Sequence, residues 1–111
     1  MRVGHIELPV ADPVASGRFY VDVLGFELVA NQADTFVWVQ GGGVELLLKP
    51  GTAAAGPFAA MPSITLYSGA LASDVERLRA AGLDLVVDRG CHHFQDPDGH
   101  WFQLVDPSDH A

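Results

Sequence analysis

The chain is poor in cysteine and in basic charge, and each shortage narrows what it can be. A single cysteine, Cys91, excludes an internal disulfide framework and suits a reducing cytosol. Lysine and arginine number 6 against 14 acidic residues, for a formal net charge of −8, and no basic run exists. Nucleic acid and anionic membrane surfaces are therefore not expected as partners. No apolar run is long enough to span a bilayer, and Met1-Arg2 leads straight into a strand without the apolar core of a signal peptide. The expectation is a cytoplasmic protein. Apolar residues make up 49% of 111 residues, enough for one domain with a core and too much for a disordered chain. That share is also high for a small monomer and points to apolar surface covered by a partner.

What is present is organised around the stretch His92–Leu104. Asp96-Pro97-Asp98-Gly99 is dense turn chemistry, with Pro97 presetting φ, Asp98 able to bond its own backbone and Gly99 supplying positive φ. Apolar and aromatic residues flank it, so it reads as a β-hairpin. Beyond the turn, alternation puts Trp101, Gln103 and Val105 on one face and Phe102 and Leu104 on the other. The chain also repeats itself. Gln103 of Phe102-Gln103-Leu104-Val105 lies 58 residues after Glu45 of Val44-Glu45-Leu46-Leu47-Leu48, and the same shift carries His5-Ile6-Glu7-Leu8 onto Ser63-Ile64-Thr65-Leu66. Leu24-Gly25-Phe26-Glu27-Leu28 falls on Ala81-Gly82-Leu83-Asp84-Leu85 at nearly that offset. This is the pattern of a tandem duplication.

The first module, 1–49, opens with a strand over Val3 to Val10, apolar at Ile6, Leu8 and Val10, with His5 and Glu7 on the other face. Asp12-Pro13 marks a helix start, with Asp12 as N-cap, and Val14, Phe19, Val23 and Leu24 form the apolar stripe up to Gly25. Strands at Phe26–Ala30, Thr35–Gln40 and Val44–Lys49 complete a βαβββ unit, with Gly41-Gly42-Gly43 as the last turn. A linker of small residues and prolines spans 50–62, its Ala runs too interrupted for a stable helix. The second module, 63–111, repeats the order: a strand from Ser63 to Ser68, a helix capped by Ser73 or Asp74 and carrying Val75, Leu78 and Ala81, a strand from Leu83 to Asp88, and the hairpin. The fold class expected is α+β: two tandem βαβββ modules forming a cupped mixed β-sheet with helices on the outside.

Two such modules, His5 on the first strand, Glu45 on the fourth and Asp96-Pro97-Asp98-Gly99 before the last resemble the vicinal oxygen chelate superfamily of glyoxalases, extradiol dioxygenases and fosfomycin- and bleomycin-resistance proteins. The resemblance covers essentially the whole chain. In metal-dependent members it implies four ligands, and the matching positions are His5, Glu45, Ser63 and Gln103. An imidazole and a carboxylate suit Zn, Ni, Mn or Fe. Ser63 stands where a second His is expected, and Gln103, with only a carbonyl oxygen to offer, where a second carboxylate is. His92, His93 or His100 would have to replace the missing ligands, and of the adjacent pair only one can face the cup. Cys91 beside His92 is no nucleophile–base pair, since neighbours on a strand point to opposite faces.

The inward face of the cup is expected to carry His5, Glu7, Glu45, Leu47, Ser63, Thr65, Tyr67, Trp101, Gln103 and Val105, joined by Phe36 and Trp38. Apolar and aromatic surface with a few hydrogen-bonding groups is the character of a small-molecule pocket. The plainer alternative has the same aromatics filling a dimer core and His5 as an ordinary hydrogen-bonded rim residue. Two functions compete. One is a binding protein holding an apolar or aromatic ligand with no cofactor; the other is a lyase, isomerase or dioxygenase using a divalent metal on His5 and Glu45. Unclosed sheets add a homodimer to the expectations, with modules paired within one chain or exchanged between two across the linker.

Overall fold

A computed structural model describes residues 1–52, 63–88 and 90–110, without the side chains of 109 and 110. The linker expectation for 53–62 lies outside them. The chain forms two compact units, one from each side of the linker. No described helix is long and apolar enough to cross a membrane.

In the first unit, β1 (Ile6–Val10) leads to α1 (Pro13–Asp22), followed by β2 (Glu27–Gln32), β3 (Phe36–Gly41) and β4 (Val44–Pro50). The four-stranded sheet has the order β1-β4-β3-β2, with β1 parallel to β4 and the other pairs antiparallel. β1 begins at Ile6 rather than Val3, and β2 runs on to Gln32, past the expected end at Ala30. Asp12 caps α1 as expected: its Oδ1 accepts from the N–H groups of Val14 and Ala15 at 3.1 and 3.2 Å, ahead of Pro13 at the first helical position.

The apolar stripe of α1 differs from the expected set of Val14, Phe19, Val23 and Leu24. The buried helix residues are Pro13, Ser16, Gly17 and Tyr20. Small residues at 16 and 17 let the helix backbone approach the sheet so closely that a Cβ on Gly17 would stand 2.9 Å from Val37 Cγ1. Tyr20 then reaches the interior, is fully buried, and packs on Phe26 at a ring separation of 5.7 Å. A periodicity search for large aliphatic side chains passes over such a close approach. The core beneath α1 is Leu8, Val10, Val37, Val39, Leu46 and Leu48, alternate residues of three adjacent strands.

The second unit repeats the plan with β5 (Ser63–Tyr67), α2 (Leu71–Ala80), β6 (Val86–Asp88), β7 (Cys91–Gln95) and β8 (Trp101–Val105), in sheet order β5-β8-β7-β6. A 3₁₀ turn at Pro107–His110 follows. Neither Ser73 nor Asp74 caps α2, which starts earlier. Its N-cap is Ala70, without a side-chain cap; just before it Ser68 Oγ accepts from Ala70 N–H at 3.1 Å and donates to Asp74 Oδ2 at 2.6 Å. Val75 and Leu78 are buried as expected, whereas Ala81 is exposed at the end of the helix. β6 is only three residues long and begins at Val86, leaving Leu83 to Leu85 outside the strand.

The hairpin forms where its turn chemistry places it, with Asp96 rather than Asp98 as the organiser. Asp96 is 4% exposed, and its Oδ1 accepts from the N–H groups of Asp98 and His100 at 2.9 and 2.8 Å. Gly99 supplies φ +90°, as its place in the turn requires. Phe94 and Phe102, paired across the hairpin and fully buried, stack at 5.4 Å and lock its register.

Candidate functional site

Each sheet turns one face to its helix and leaves the other open, and the expected site residues fall on the open faces. In the first unit, register pairing sets Glu7, Leu47, Trp38 and Ala30 in one row, with Glu45, Gln40 and Glu27 in the next. His5, two residues before Glu7, shares this face. Its Nε2 lies 2.8 Å from Glu7 Oε2, and the other Glu7 oxygen accepts from Lys49 Nζ at 3.0 Å. The carboxylate thus bridges imidazole and ammonium. The His5 hydrogen bond first, and then the Lys49 hydrogen bond and charge, hold the Glu7 carboxyl below its ordinary value.

The His5 ring meets Trp38 edge-on, with centroids 4.8 Å apart. β4 lies between their strands, so the imidazole reaches across it. Leu47, in the row between Glu7 and Trp38, is accordingly only 8% exposed although it faces outward. Trp38 is pinned in turn by Nε1 donating to Gln32 Oε1 at 3.2 Å. Phe36 shares the face and remains 41% exposed. The sequence reading missed Lys49, Gln32 and Gln40. Lys49 was visible in the alternation Glu45, Leu47, Lys49, while the other two needed the register of β2 on β3.

On the open face of the second unit, Thr65 pairs with Gln103 and Gln103 with His93, while Ser63 pairs with Trp101 and Trp101 with Gln95. One shift does not relate both strands of the two units. Ile6 pairs with Leu46, but 58 residues on, Ile64 pairs with Phe102 and not with Leu104. The partner of Gln103 is therefore Thr65, where the register of the first unit carried over by 58 residues would set Ser63, and Gln103 Nε2 donates to Thr65 Oγ1 at 2.8 Å. Tyr67, at the end of β5, is 68% exposed. Of the adjacent histidines His93 shares the face of Gln103, and His92 points to the opposite side, paired with Leu104.

A hollow of about 270 Å³ opens beside Trp101, lined also by Gly82, Leu83, Asp84, Val86 and Gln95. Trp101, Gln95 and Val86 belong to the open face by register, and the loop after α2 closes the end. Trp101 was expected here; Gln95 and Asp84 were not. Gln95 follows from its pairing with Trp101, whereas nothing in the sequence brings Asp84 to the ring.

Set against a metal, the four matched positions fit poorly. His5 Nε2 is engaged with Glu7, Ser63 offers a neutral hydroxyl, Gln103 is an uncharged amide bonded to Thr65, and only Glu45 is an anion. Among the described residues no group of three or more His, Cys, Asp or Glu side chains is placed to share an ion.

The family model for the Glyoxalase/Bleomycin resistance protein/Dioxygenase superfamily matches residues 2–104. The chain belongs to that superfamily. Among solved structures, this superfamily member is similar to the fosfomycin resistance protein FosX from Listeria monocytogenes, with a TM-score of 0.79 at 20% identity over 95% of this chain and 90% of that one. The same FosX has been solved with Mn(II) and sulfate. TnmS3, an antibiotic binding protein from Streptomyces sp. CB03234, gives a TM-score of 0.72 at 25% identity over 96% and 98% of the two chains. A possible glyoxalase from Bacillus cereus gives 0.77 at 19% identity over 95% and 98%. No curated protein matches the chain.

Proposed function

We propose that this superfamily member is a binding protein that holds an apolar or aromatic small molecule against the open face of its sheets, without metal chemistry. The observation that carries the reading is the ordered polar pair beside an aromatic wall. Gln103 is fixed by Thr65 at 2.8 Å on the same face as Trp101, which lines the hollow of about 270 Å³. A flat ring gives a stacking platform, and the oriented carbonyl of Gln103 gives a specific acceptor. The likeness to the antibiotic-binding TnmS3 supports the same reading.

The test is a fluorescence titration with a panel of planar aromatic compounds, run beside a thermal melt. Trp101→Ala should weaken binding of the hits about tenfold, roughly 1.4 kcal/mol, with the fold intact. Undiminished affinity in Trp101→Ala would refute the reading.

A second reading, a metal-dependent lyase, isomerase or dioxygenase, draws support from His5 and Glu45 on one open face and from the Mn(II) bound by Listeria FosX. The donor set disfavours it. Stoichiometric metal that survives dialysis of untagged protein and is lost in His5→Ala would reverse the order of the two.

The binding protein is proposed to work as a homodimer. Leu28 and Val29 on edge strand β2, and Val86 and Val87 on edge strand β6, are between 43% and 58% exposed, apolar surface on open sheet edges. Light scattering at micromolar concentration should give twice the 11.8 kDa chain mass; a monomer mass alone would refute it.

A further inference from the structure

The hollow beside Trp101 has an electrostatic character that the sequence did not show. Two of its six lining residues bear on charge, and both favour a positive one. Trp101 lines the hollow, and an indole ring attracts cations to its face through its quadrupole. Asp84, exposed on the loop after α2, supplies a carboxylate. Gln95 donates one amide N–H to the Gly99 carbonyl at 3.1 Å and keeps both a second N–H and its oxygen, so it is neutral towards the sign of a ligand. Gly82, Leu83 and Val86 complete the lining with backbone and aliphatic surface, and no Lys or Arg is part of it.

We propose that this hollow binds a small organic cation, its charged nitrogen set between the Trp101 ring and the Asp84 carboxylate and its apolar body against Leu83 and Val86. The proposal rests on the binding reading above and adds the sign of the ligand's charge. An anionic ligand would meet the Asp84 carboxylate with no cationic side chain in the lining to offset it. A neutral aromatic would leave the Asp84 charge unused. A volume of about 270 Å³ accommodates a single-ring ammonium compound. The net charge of −8 helps by raising the local concentration of cations around the whole chain.

The experiment is an NMR titration of ¹⁵N-labelled protein with phenyltrimethylammonium, followed at the Trp101 indole N–H and across the backbone amides, those of Gly82, Leu83 and Asp84 above all. Acetanilide serves as the neutral probe and benzoate as the anionic one. The cation should shift these signals and bind at least about fivefold more tightly than acetanilide, with benzoate weakest. Asp84→Asn, a near-isosteric change at an exposed position, should weaken the cation about three- to fivefold and leave acetanilide unchanged. Trp101→Leu should weaken the cation about tenfold. Equal affinity for cation and neutral probe, or an Asp84→Asn variant that binds the cation as the parent does, overturns the charge proposal while the aromatic pocket stands. Shifts from the cation confined to Glu7 and Glu45 overturn it as well. If no aromatic of any charge moves the Trp101 signal, both the cation proposal and the binding reading fall.

Discussion

Replacing Asp96 by alanine should unfasten the hairpin that carries Trp101 and Gln103. Asp96 is 4% exposed, and one carboxylate oxygen accepts from two backbone N–H groups, Asp98 at 2.9 Å and His100 at 2.8 Å. Hydrogen bonds to a charged acceptor are worth about 1.5–3 kcal/mol each, and two sharing one oxygen are less than additive. The expected loss in Asp96→Ala is therefore about 2–4 kcal/mol, a large part of the roughly 5–15 kcal/mol that holds a typical domain folded. Asp96→Asn separates acceptor geometry from charge. Its carbonyl oxygen can occupy the same position and keep both bonds, so it should lose only about 1 kcal/mol. Urea denaturation of the parent and the two variants measures the differences. If Asp96→Ala unfolds within about 0.5 kcal/mol of the parent, or Asp96→Asn is as damaged as Asp96→Ala, the turn is not held by this side chain.

Gly17→Ala should destabilise despite the better helix propensity of alanine, worth about 1 kcal/mol. The new Cβ meets Val37 Cγ1 at 2.9 Å, and Val37, 2% exposed, has nowhere to go, so overpacking of about 1–3 kcal/mol prevails; a raised melting temperature would contradict this. Lys49→Met should raise the carboxyl titration midpoint of Glu7, read by ¹³C NMR, towards its ordinary value, while the His5 hydrogen bond keeps it somewhat below. Because the Glu7 midpoint is lowered in the folded protein, its contribution is present above the ordinary carboxylate value of 4.5 and is lost as pH falls through the lowered one. An unmoved midpoint would show that Lys49 does not act on this carboxylate.

Much of what depended on near neighbours in the chain was legible in the amino-acid order itself. Asp12-Pro13 set the start of the first helix, Asp96-Pro97-Asp98-Gly99 marked the hairpin, and the alternation of Trp101, Phe102, Gln103 and Leu104 assigned each its face. These signals are local, because turn and cap residues act on a backbone within a few positions and strand alternation has a fixed period of two. The βαβββ repeat followed from them, and with it the fold class and superfamily. The same logic failed in places: Ser16 and Gly17 face the sheet because they are small, which a search for apolar periodicity does not see, and the second helix starts ahead of Ser73 and Asp74.

Tertiary structure decided what sits opposite what. β5 and β8 are parallel and joined by a long crossover, so no turn fixes their register; it comes from packing, and it sets Thr65 rather than Ser63 against Gln103. His5 meets Trp38 across an intervening strand, and Asp84 lines the hollow beside Trp101 from the loop after α2. The sequence alone determined which residues face outward on each strand, because that follows from the geometry of a single chain segment. Which of them meet was settled only when distant segments packed together, since side-chain contacts across strands depend on registers that short-range chemistry does not specify.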